Sequence, residues 1–546
     1  MAQVVGQLGR LVGTKSQSMT HLCVAIFVTD IDEARRDIAL AAEAGADMVE
    51  LRLDHCADQA QFNSLIQQSI LPVIATLRPA WEGGQSRLPD QQRVGLLKAA
   101  ADNGASYVDL ESRASEHAAA LKPTPPETRP RLILSHHDFG GRPDRLYNIL
   151  GDLNATEADV VKIVWTARTI RDNLEAFEIL RNRQKPTIAL CMGEAGLISR
   201  ILAKKFGAFL TFAALDSSGG TAPGQISIAD MKRLYRWDAI NPDTRVYGVV
   251  GSPVGHSMSP AIHNAAFDRI GHDGLYLPLL VEPGYESFKA FMETFLNFEG
   301  LHFSGCSVTI PHKENALRYL AEKGADIEPL ARSIGALNTI VVRPPGAVGQ
   351  LPTLRGFSTD YAAILDSITS RLNITRQQLR DYRVAVLGAG GTGRTAVAAL
   401  AHYGATVVVY NRTVEKAREL AREFDGKTGQ VVAMPLDRLC DSCCQIYLNA
   451  TSVGMHPKVD QCPWGEKPPR LSKDTLVFDT IYNPMKTKLL RQAEDAGALT
   501  ISGVEMFVRQ AVGQFEAWTG KPAPVDLMRQ VVESRLGGKK QPQSRG

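Results

Sequence analysis

Residues 158–164 read Ala158-Asp159-Val160-Val161-Lys162-Ile163-Val164, an apolar run with one lysine set into it. Earlier, Arg131-Leu132-Ile133-Leu134 runs into Ser135-His136-His137-Asp138-Phe139. Both read as buried strands, with the lysine and the histidine at their ends. An amine in an apolar, cation-lined pocket attacks a carbonyl and forms a Schiff base. An imidazole beside it moves protons near neutral pH. The plain alternative is a lysine that reaches from a strand end to solvent. The surrounding sequence favours the first reading.

Working outward, eight apolar runs are predicted as strands: Leu22–Val28, Asp47–Leu51, Pro72–Leu77, Ser106–Leu110, Arg131–Leu134, Val160–Val164, Thr187–Leu190 and Ala208–Phe212. Helix-like segments such as Ile31–Ala44 and Gln91–Ala101 lie between most of them. Eight such alternations predict a (β/α)8 barrel, the TIM-barrel architecture. Catalytic residues of such barrels sit at the carboxyl ends of strands. Glu50, Arg52, Arg78, Glu82, Glu111, His137, Lys162 and Met192 all fall there.

A break follows near Trp237–Asp243, and the alternation restarts with a predicted strand at Arg245–Val250. Further on, Arg383-Val384-Ala385-Val386-Leu387 runs into Gly388-Ala389-Gly390-Gly391-Thr392-Gly393. A strand, a glycine-rich turn and a helix together make a pyrophosphate cradle. The next predicted strand, Thr406–Tyr410, ends in Asn411-Arg412-Thr413, with Lys416 one turn on. An acidic residue there binds a ribose hydroxyl, whereas a basic one accommodates a 2′-phosphate. Arg412 and Lys416 therefore argue for NADP over NAD.

The bulk numbers set the limits. At 546 residues the chain exceeds one core and calls for two or three domains. Hydrophobic content of 44% and charged content of 22% are those of a globular protein. The net charge of +3 (61 basic minus 58 acidic) gives no reason to invoke nucleic acid or an anionic membrane. Cys440 and Cys443 resemble half a metal or redox site, but no second pair follows at metal spacing, so no metal is expected. Scattered cysteines suit reduced thiols and a cytoplasmic protein. Met1–Ser18 reads as a flexible extension, with Met19 an alternative start, and the polar tail 537–546 as disordered.

The first-half motifs are Glu50-Leu51-Arg52, Thr76-Leu77-Arg78, Glu82-Gly83-Gly84, His137-Asp138, Lys162, Ser199-Arg200 and Ala222-Pro223-Gly224-Gln225. Together they resemble type I 3-dehydroquinate dehydratase. The resemblance implies that Lys162 forms an imine with dehydroquinate, His137 moves the protons and Glu82 supports the histidine. Arg200 is expected to pair with the substrate carboxylate, because a guanidinium fork matches it. Glu50, Arg78 and Gln225 are expected to read hydroxyls. Arg52 would add positive charge near Lys162, favouring its neutral amine. Thr221 stands where the family often has serine and keeps the hydroxyl.

The second half carries His256-Ser257-Met258-Ser259-Pro260, Ser307-Val308-Thr309-Ile310-Pro311-His312-Lys313, Gly335-Ala336-Leu337-Asn338-Thr339 and Thr359-Asp360. Near its end come Asn449-Ala450-Thr451-Ser452-Val453-Gly454-Met455 and Gly503-Val504-Glu505-Met506. This set resembles shikimate dehydrogenase. The resemblance implies a Lys313–Asp360 proton-transfer pair and carboxylate-binding Ser257 and Ser259. It places Thr309, Asn338 and Gln510 on ring hydroxyls and Tyr482 near the carboxylate. Thr451, Met455 and Gly503 join the glycine turn as cofactor contacts. Ser307, Met258 and Ser358 depart from the family's usual Asn, Lys and Asn, which bears on shikimate against quinate.

The expectation is therefore two consecutive enzymes of the shikimate pathway of aromatic amino acid biosynthesis. A barrel over 19–238 dehydrates 3-dehydroquinate through a lysine Schiff base. A shikimate-binding subdomain over 245–360, closed by helices at about 503–536, and a Rossmann NADP-binding subdomain over 361–502 reduce 3-dehydroshikimate to shikimate with NADPH. The expected partners are these small molecules and possible further copies in an oligomer. Two alternatives stand beside this: a second half that prefers quinate and NAD, or one half serving as a non-catalytic regulatory module.

Overall fold

The computed structural model describes residues 19–55, 59–121, 130–216, 224–344, 352–426, 428–441, 443–465 and 467–537. The extension 1–18, the tail from 538 and Thr221 lie outside the described residues. The chain divides into two units between Thr244 and Arg245.

The first unit is built on eight parallel strands: β1 (His21–Phe27), β2 (Met48–Arg52), β3 (Val73–Thr76), β4 (Tyr107–Glu111), β5 (Arg131–Asp138), β6 (Val160–Thr166), β7 (Thr187–Met192) and β8 (Leu210–Ala213). They pair in chain order from β1 to β7, and β8 returns to pair with β1. Across the remaining seam the Phe209 amide donates to the Thr187 carbonyl at 2.8 Å. The expected barrel is present.

Two strands differ from the sequence reading. β5 runs on through His136 and His137 to Asp138, and β6 through Trp165 to Thr166. Lys162 is thus the third residue of its strand, not the last. The reason is the period-two alternation of a barrel strand, which points every second side chain into the interior. Met48, Ile74, Tyr107, Ile133 and Val160 form an apolar floor there. The next inward positions on the same strands are Glu50, Thr76, Asp109, Ser135 and Lys162, all buried. Burying the floor stabilises by roughly 1.5–3 kcal/mol per large side chain. The polar layer above it carries a desolvation cost that only mutual pairing offsets.

After the barrel, two lysines hold the departing chain. Lys204 Nζ donates to the carbonyls of Trp237 and Asp238 at 3.1 and 3.0 Å. Lys205 Nζ donates to those of Pro242 and Thr244 at 2.6 and 2.8 Å.

The second unit holds two sheets. The first comprises β9 (Arg245–Gly251), β10 (Gly274–Leu280), β11 (Phe303–Val308), β12 (Asp326–Ile327), β13 (Thr339–Arg343) and β14 (Thr353–Phe357), in the order β10-β9-β11-β13-β14-β12. The second comprises β15 (Arg383–Leu387), β16 (Thr406–Asn411), β17 (Val431–Pro435), β18 (Ile446–Asn449), β19 (Leu476–Asp479) and β20 (Leu499–Ile501), ordered β17-β16-β15-β18-β19-β20. All its pairings are parallel. This is the doubly wound Rossmann order, and ligands bind where it reverses, between β15 and β18.

The helix Gly503–Thr519 leaves the second sheet and packs on the first. Val508, Phe515 and Trp518 join Tyr247, Phe267 and Tyr276 in one core. Met528 and Val532 of the last helix, Val525–Gly537, complete it. No helix among the described residues is long and apolar enough to cross a membrane.

Candidate active sites

The barrel cavity has a volume of about 180 Å³ and is lined by Glu50, Arg52, Arg78, Glu82, His137, Lys162, Arg200 and Gln225. Of the residues singled out for this half, Thr221 and the motif residues Ala222 and Pro223 lie outside the described residues. Lys162 Nζ donates to Asp109 Oδ2 at 2.8 Å and to Glu50 Oε1 at 3.5 Å. It also sits 4.7 Å from the Phe212 ring centroid. Arg52 lines the same cavity as Lys162, as expected of a positive charge near the amine, but its own partners lie elsewhere. The Arg52 guanidinium pairs with Asp54 at 2.6 Å and lies over Phe27 at 4.9 Å. The groups within hydrogen-bond reach of Lys162 are carboxylates.

Asp109 is the residue that sequence reasoning missed. It is fully buried. Burial opposes its ionisation, but the Arg78 and Lys162 charges outweigh that and hold its carboxyl well below the usual range. The signal was available: Tyr107, Asp109 and Glu111 share one face of a strand by period two.

Arg78 lines the cavity and already pairs with groups of the barrel wall. Its donors go to Asp109 at 2.8 Å, Glu111 at 2.9 Å and Ser135 at 2.7 Å. Glu111 is shared with the fully buried Arg93 at 2.7 Å. Arg78 therefore neutralises carboxylates of the barrel while it lines the cavity.

His137 Nδ1 lies 2.8 Å from Glu82 Oε1, which also accepts the His137 backbone N–H at 3.0 Å. Burial penalises both charged forms. It pushes the Glu82 carboxyl up to about 8, against the pull of Arg78. Burial, together with the Arg78 and Lys162 cations, holds the imidazole well below 6.5, hence neutral. His136 instead turns to Ser112, at 3.4 Å.

Arg200 is 2% exposed and its Nε has no hydrogen-bond partner. Burial lowers its guanidinium to about 10. A buried cation aimed into a cavity and short of partners suits a ligand carboxylate.

The second cavity, of about 380 Å³, lies between the two sheets of its unit. Its lining includes Ser257, Ser259, Thr309, Lys313, Asn338, Asp360, Thr392, Tyr482, Gly503 and Gln510. Lys313 Nζ donates to Asp360 Oδ2 at 2.6 Å. Lys313 opens the helix Lys313–Glu322 and Asp360 lies in the first turn of Thr359–Leu372, so helix starts carry both ends of the pair. Asn338 Oδ1 accepts the Thr359 N–H at 2.8 Å, bracing Asp360 from behind. Tyr482 stacks on Phe507 at 4.8 Å. Ser307 also lines the cavity. Met258 is the residue before the helix Ser259–Arg269, and Ser358 is buried, its N–H on Glu328 Oε2 at 3.3 Å.

The glycine turn fits a dinucleotide pyrophosphate. Gly388 has φ +105°, a left-handed conformation open to glycine. A Cβ on Gly393 would meet the Gly388 carbonyl oxygen at 2.1 Å, so helix and strand approach as only glycine permits. At Gly390 and Gly391 a Cβ would meet nothing within 4 Å, leaving the backbone open where the helix Gly391–His402 begins. Asn411 Oδ1 accepts the Ala389 N–H at 3.2 Å, and its Nδ2 donates to the Thr413 carbonyl at 2.7 Å. Arg412 and Lys416 beyond are exposed. Thr451 is fixed by Asn449 at 2.7 Å, and Met455 is 45% exposed. Of the cofactor residues, Thr392 and Gly503 reach the cavity that holds Lys313.

Comparisons with known proteins match each half of the chain to a family. The family model for type I 3-dehydroquinase matches residues 22–242. That for the shikimate dehydrogenase substrate binding domain matches 249–340. Those for shikimate / quinate 5-dehydrogenase and the shikimate 5'-dehydrogenase C-terminal domain match 371–460 and 503–533. The chloroplastic bifunctional 3-dehydroquinate dehydratase/shikimate dehydrogenase of Arabidopsis thaliana is 39% identical over 531 residues, covering 94% of this chain and 84% of that one. A shikimate dehydrogenase (NADP(+)) of Bacillus cereus is 37% identical over 54% of this chain and 99% of its own. The solved dehydroquinate dehydratase and shikimate dehydrogenase from S. pombe AroM is 25% identical with a TM-score of 0.41, covering 95% of this chain and 99% of that one. With each half of the chain matched in turn and one relative spanning both, the chain belongs to the bifunctional 3-dehydroquinate dehydratase/shikimate dehydrogenase family.

Proposed function

We propose that the barrel dehydrates 3-dehydroquinate through an imine on Lys162, and that Lys313 and Asp360 protonate the ketone oxygen of 3-dehydroshikimate as NADPH reduces it. The two activities are those of the family, and the named residues are our reading of how this chain performs them. The observation that carries it is the pair of pairings, Lys162 beside Asp109 in one cavity and Lys313 on Asp360 in the other.

In the barrel, the lysine sheds a proton and attacks the carbonyl carbon, and water leaves as the imine forms. The cationic imine draws electrons from the neighbouring C–H, and neutral His137 takes that proton. The hydroxyl β to the imine then leaves as water, protonated by the same imidazolium. Arg200 holds the carboxylate. Water returns the lysine by hydrolysis.

In the second cavity the nucleotide, when bound, supplies the hydride. Gly388–Gly393 and the start of their helix would hold its pyrophosphate, and Arg412 with Lys416 its 2′-phosphate. Lys313 donates a proton to the ketone oxygen, and Asp360 keeps the ammonium aimed. Ser257 and Ser259 take the carboxylate. Among the described residues the cysteines, Cys23 to Cys462, are free thiols, which supports a reducing compartment such as the cytoplasm.

Two assays test the reading. The purified chain should convert 3-dehydroquinate to a conjugated enone, seen by its ultraviolet absorbance, with no nucleotide present. It should oxidise NADPH with 3-dehydroshikimate much faster than NADH; a preference for NADH, or for NAD(+) with quinate in the reverse direction, would overturn the cofactor assignment. Arg412→Ser should raise KM for NADPH roughly 10–100-fold, the cost of a charged hydrogen-bond partner, leaving KM for 3-dehydroshikimate in place. An unchanged NADPH KM would remove Arg412 from the phosphate site.

The pH profile offers a further check. Because His137 is held below 6.5, its base form persists as pH falls through that value. The acid limb of kcat/KM for dehydration should therefore lie below 6.5, and it should vanish from the residual activity of His137→Gln. A His137-dependent limb above the ordinary histidine value would contradict a neutral, buried base, whereas limbs that survive in His137→Gln report other groups, Glu82 among them.

A further inference from the structure

Tyr276 lies on β10, fully buried, behind the second cavity and not on its surface. Its hydroxyl hydrogen-bonds Ser307 Oγ, and the Ser259 hydroxyl is also within its reach. Both serines line the cavity. The tyrosine is fixed from several sides. Asn264 brackets its backbone, Nδ2 donating to the Tyr276 carbonyl and Oδ1 accepting its N–H, both at 2.8 Å. The His263 ring stacks on it at 4.4 Å and Trp518 lies 5.7 Å away. Trp518 is itself held by its indole N–H on the Ile340 carbonyl at 3.0 Å.

We propose that Tyr276 is a positioning residue that sets the direction of the hydrogen bonds Ser259 and Ser307 offer the substrate. The inference rests on the reading of this cavity as the site of 3-dehydroshikimate reduction. Burial raises the phenol well above its ordinary value, so it keeps its proton. A phenol has one proton to give, so it donates to one serine and accepts from the other. A carboxylate only accepts. Ser259 opens its helix beside Ser257, whose Oγ accepts the Ser259 N–H at 3.2 Å. To serve a carboxylate there, Ser259 must turn its proton outward and accept from Tyr276. Ser307 then gives its proton to Tyr276 and presents only lone pairs to the cavity.

The result is a one-way chain, from a ring hydroxyl through Ser307, Tyr276 and Ser259 to the carboxylate. It selects ligands that carry a carboxylate and, opposite Ser307, a hydroxyl donor. A carbonyl at that position would face lone pairs with lone pairs. Ser307 is one of the departures from the family's common asparagine, an amide that carries its own donors. The tyrosine supplies the order that a lone serine lacks.

The test is Tyr276→Phe, which removes one oxygen and keeps the ring. KM for 3-dehydroshikimate should rise about tenfold, as for a lost buried hydrogen bond, with kcat within about threefold of wild type. KM for NADPH and dehydration by the barrel should not move. Ser307→Ala should raise KM similarly, and the double variant should add little, because both break one chain. A fall in kcat at unchanged KM, or additive effects in the double variant, would overturn the proposal. Should Tyr276→Phe fail to fold, an unchanged KM in Ser307→Ala would overturn it equally. A wild-type chain that does not reduce 3-dehydroshikimate would instead refute the reading of the cavity, which separates the two failures.

Discussion

Lys162→Met loses dehydration by about four orders of magnitude or more, the scale seen when a covalent nucleophile is removed, while NADPH-dependent reduction of added 3-dehydroshikimate continues at the wild-type rate. Methionine keeps the length and apolar stem of lysine but has no amine to form an imine. No neighbour substitutes for it. The other cations of the cavity, Arg52, Arg78 and Arg200, are guanidinium groups, which stay protonated and do not attack carbonyls. The substitution also leaves Asp109 with one cation fewer. Arg78 remains on it at 2.8 Å, so the loss of barrel stability should stay below the 3–5 kcal/mol of a wholly unpaired buried charge. Reduction provides the internal control, because Lys313 and Asp360 belong to the other unit. Borohydride gives an independent readout. Added with 3-dehydroshikimate, it should fix the ligand covalently to Lys162 in the wild type and not in the variant. Dehydration that survives in Lys162→Met would refute the imine.

The second large effect lies in the dehydrogenase half. Lys313→Met should lower kcat for reduction by about 10²–10⁴-fold, the range of a lost general acid. Hydride cannot reach a ketone whose oxygen stays unprotonated, and water in the cavity is a poorer, unoriented donor. Asp360→Asn should cost somewhat less, because it misaims the ammonium without removing it. The two changes should be far from additive, since they share one 2.6 Å contact. KM for NADPH should hold, because the glycine turn is untouched, and dehydration should persist in full. A variant losing affinity for 3-dehydroshikimate alone, at unchanged kcat, would recast Lys313 as a binding residue.

Most of the fold could be read in the sequence, because barrel strands are apolar runs punctuated by helices, and that alternation survives without an alignment. The Rossmann turn was legible for a similar reason: Gly388–Gly393 is a local motif between a strand and a helix. What escaped was the interior of the barrel. His136, His137 and Asp138 look like the end of a strand because they are polar, yet β5 includes all three. Lys162 looked terminal for the same reason. Polarity marks a strand end only when the interior is apolar, and here the interior carries a polar layer. Asp109 was passed over as a strand residue, and only Arg52 was named as a charge near Lys162. Only register across β4, β5 and β6 brings Asp109, Ser135 and Lys162 together. Tyr276 was unreadable in the same way, since a tyrosine between leucines reads as core until its hydroxyl is seen against Ser307. Pairs such as Lys313–Asp360, 47 residues apart, were reached through resemblance, because no local pattern connects them.

The most direct test of the whole account is NADPH absorbance in a cuvette holding only the purified chain, NADPH and 3-dehydroquinate. Two cavities working in sequence predict steady loss of NADPH after a short lag, absent in Lys162→Met, because 3-dehydroquinate must first lose water; loss without a lag, or in that variant, would mean that the second cavity reduces the ketone of 3-dehydroquinate directly. No loss, in a preparation that does oxidise NADPH once 3-dehydroshikimate is added, would contradict the assignment of Lys162 and its barrel.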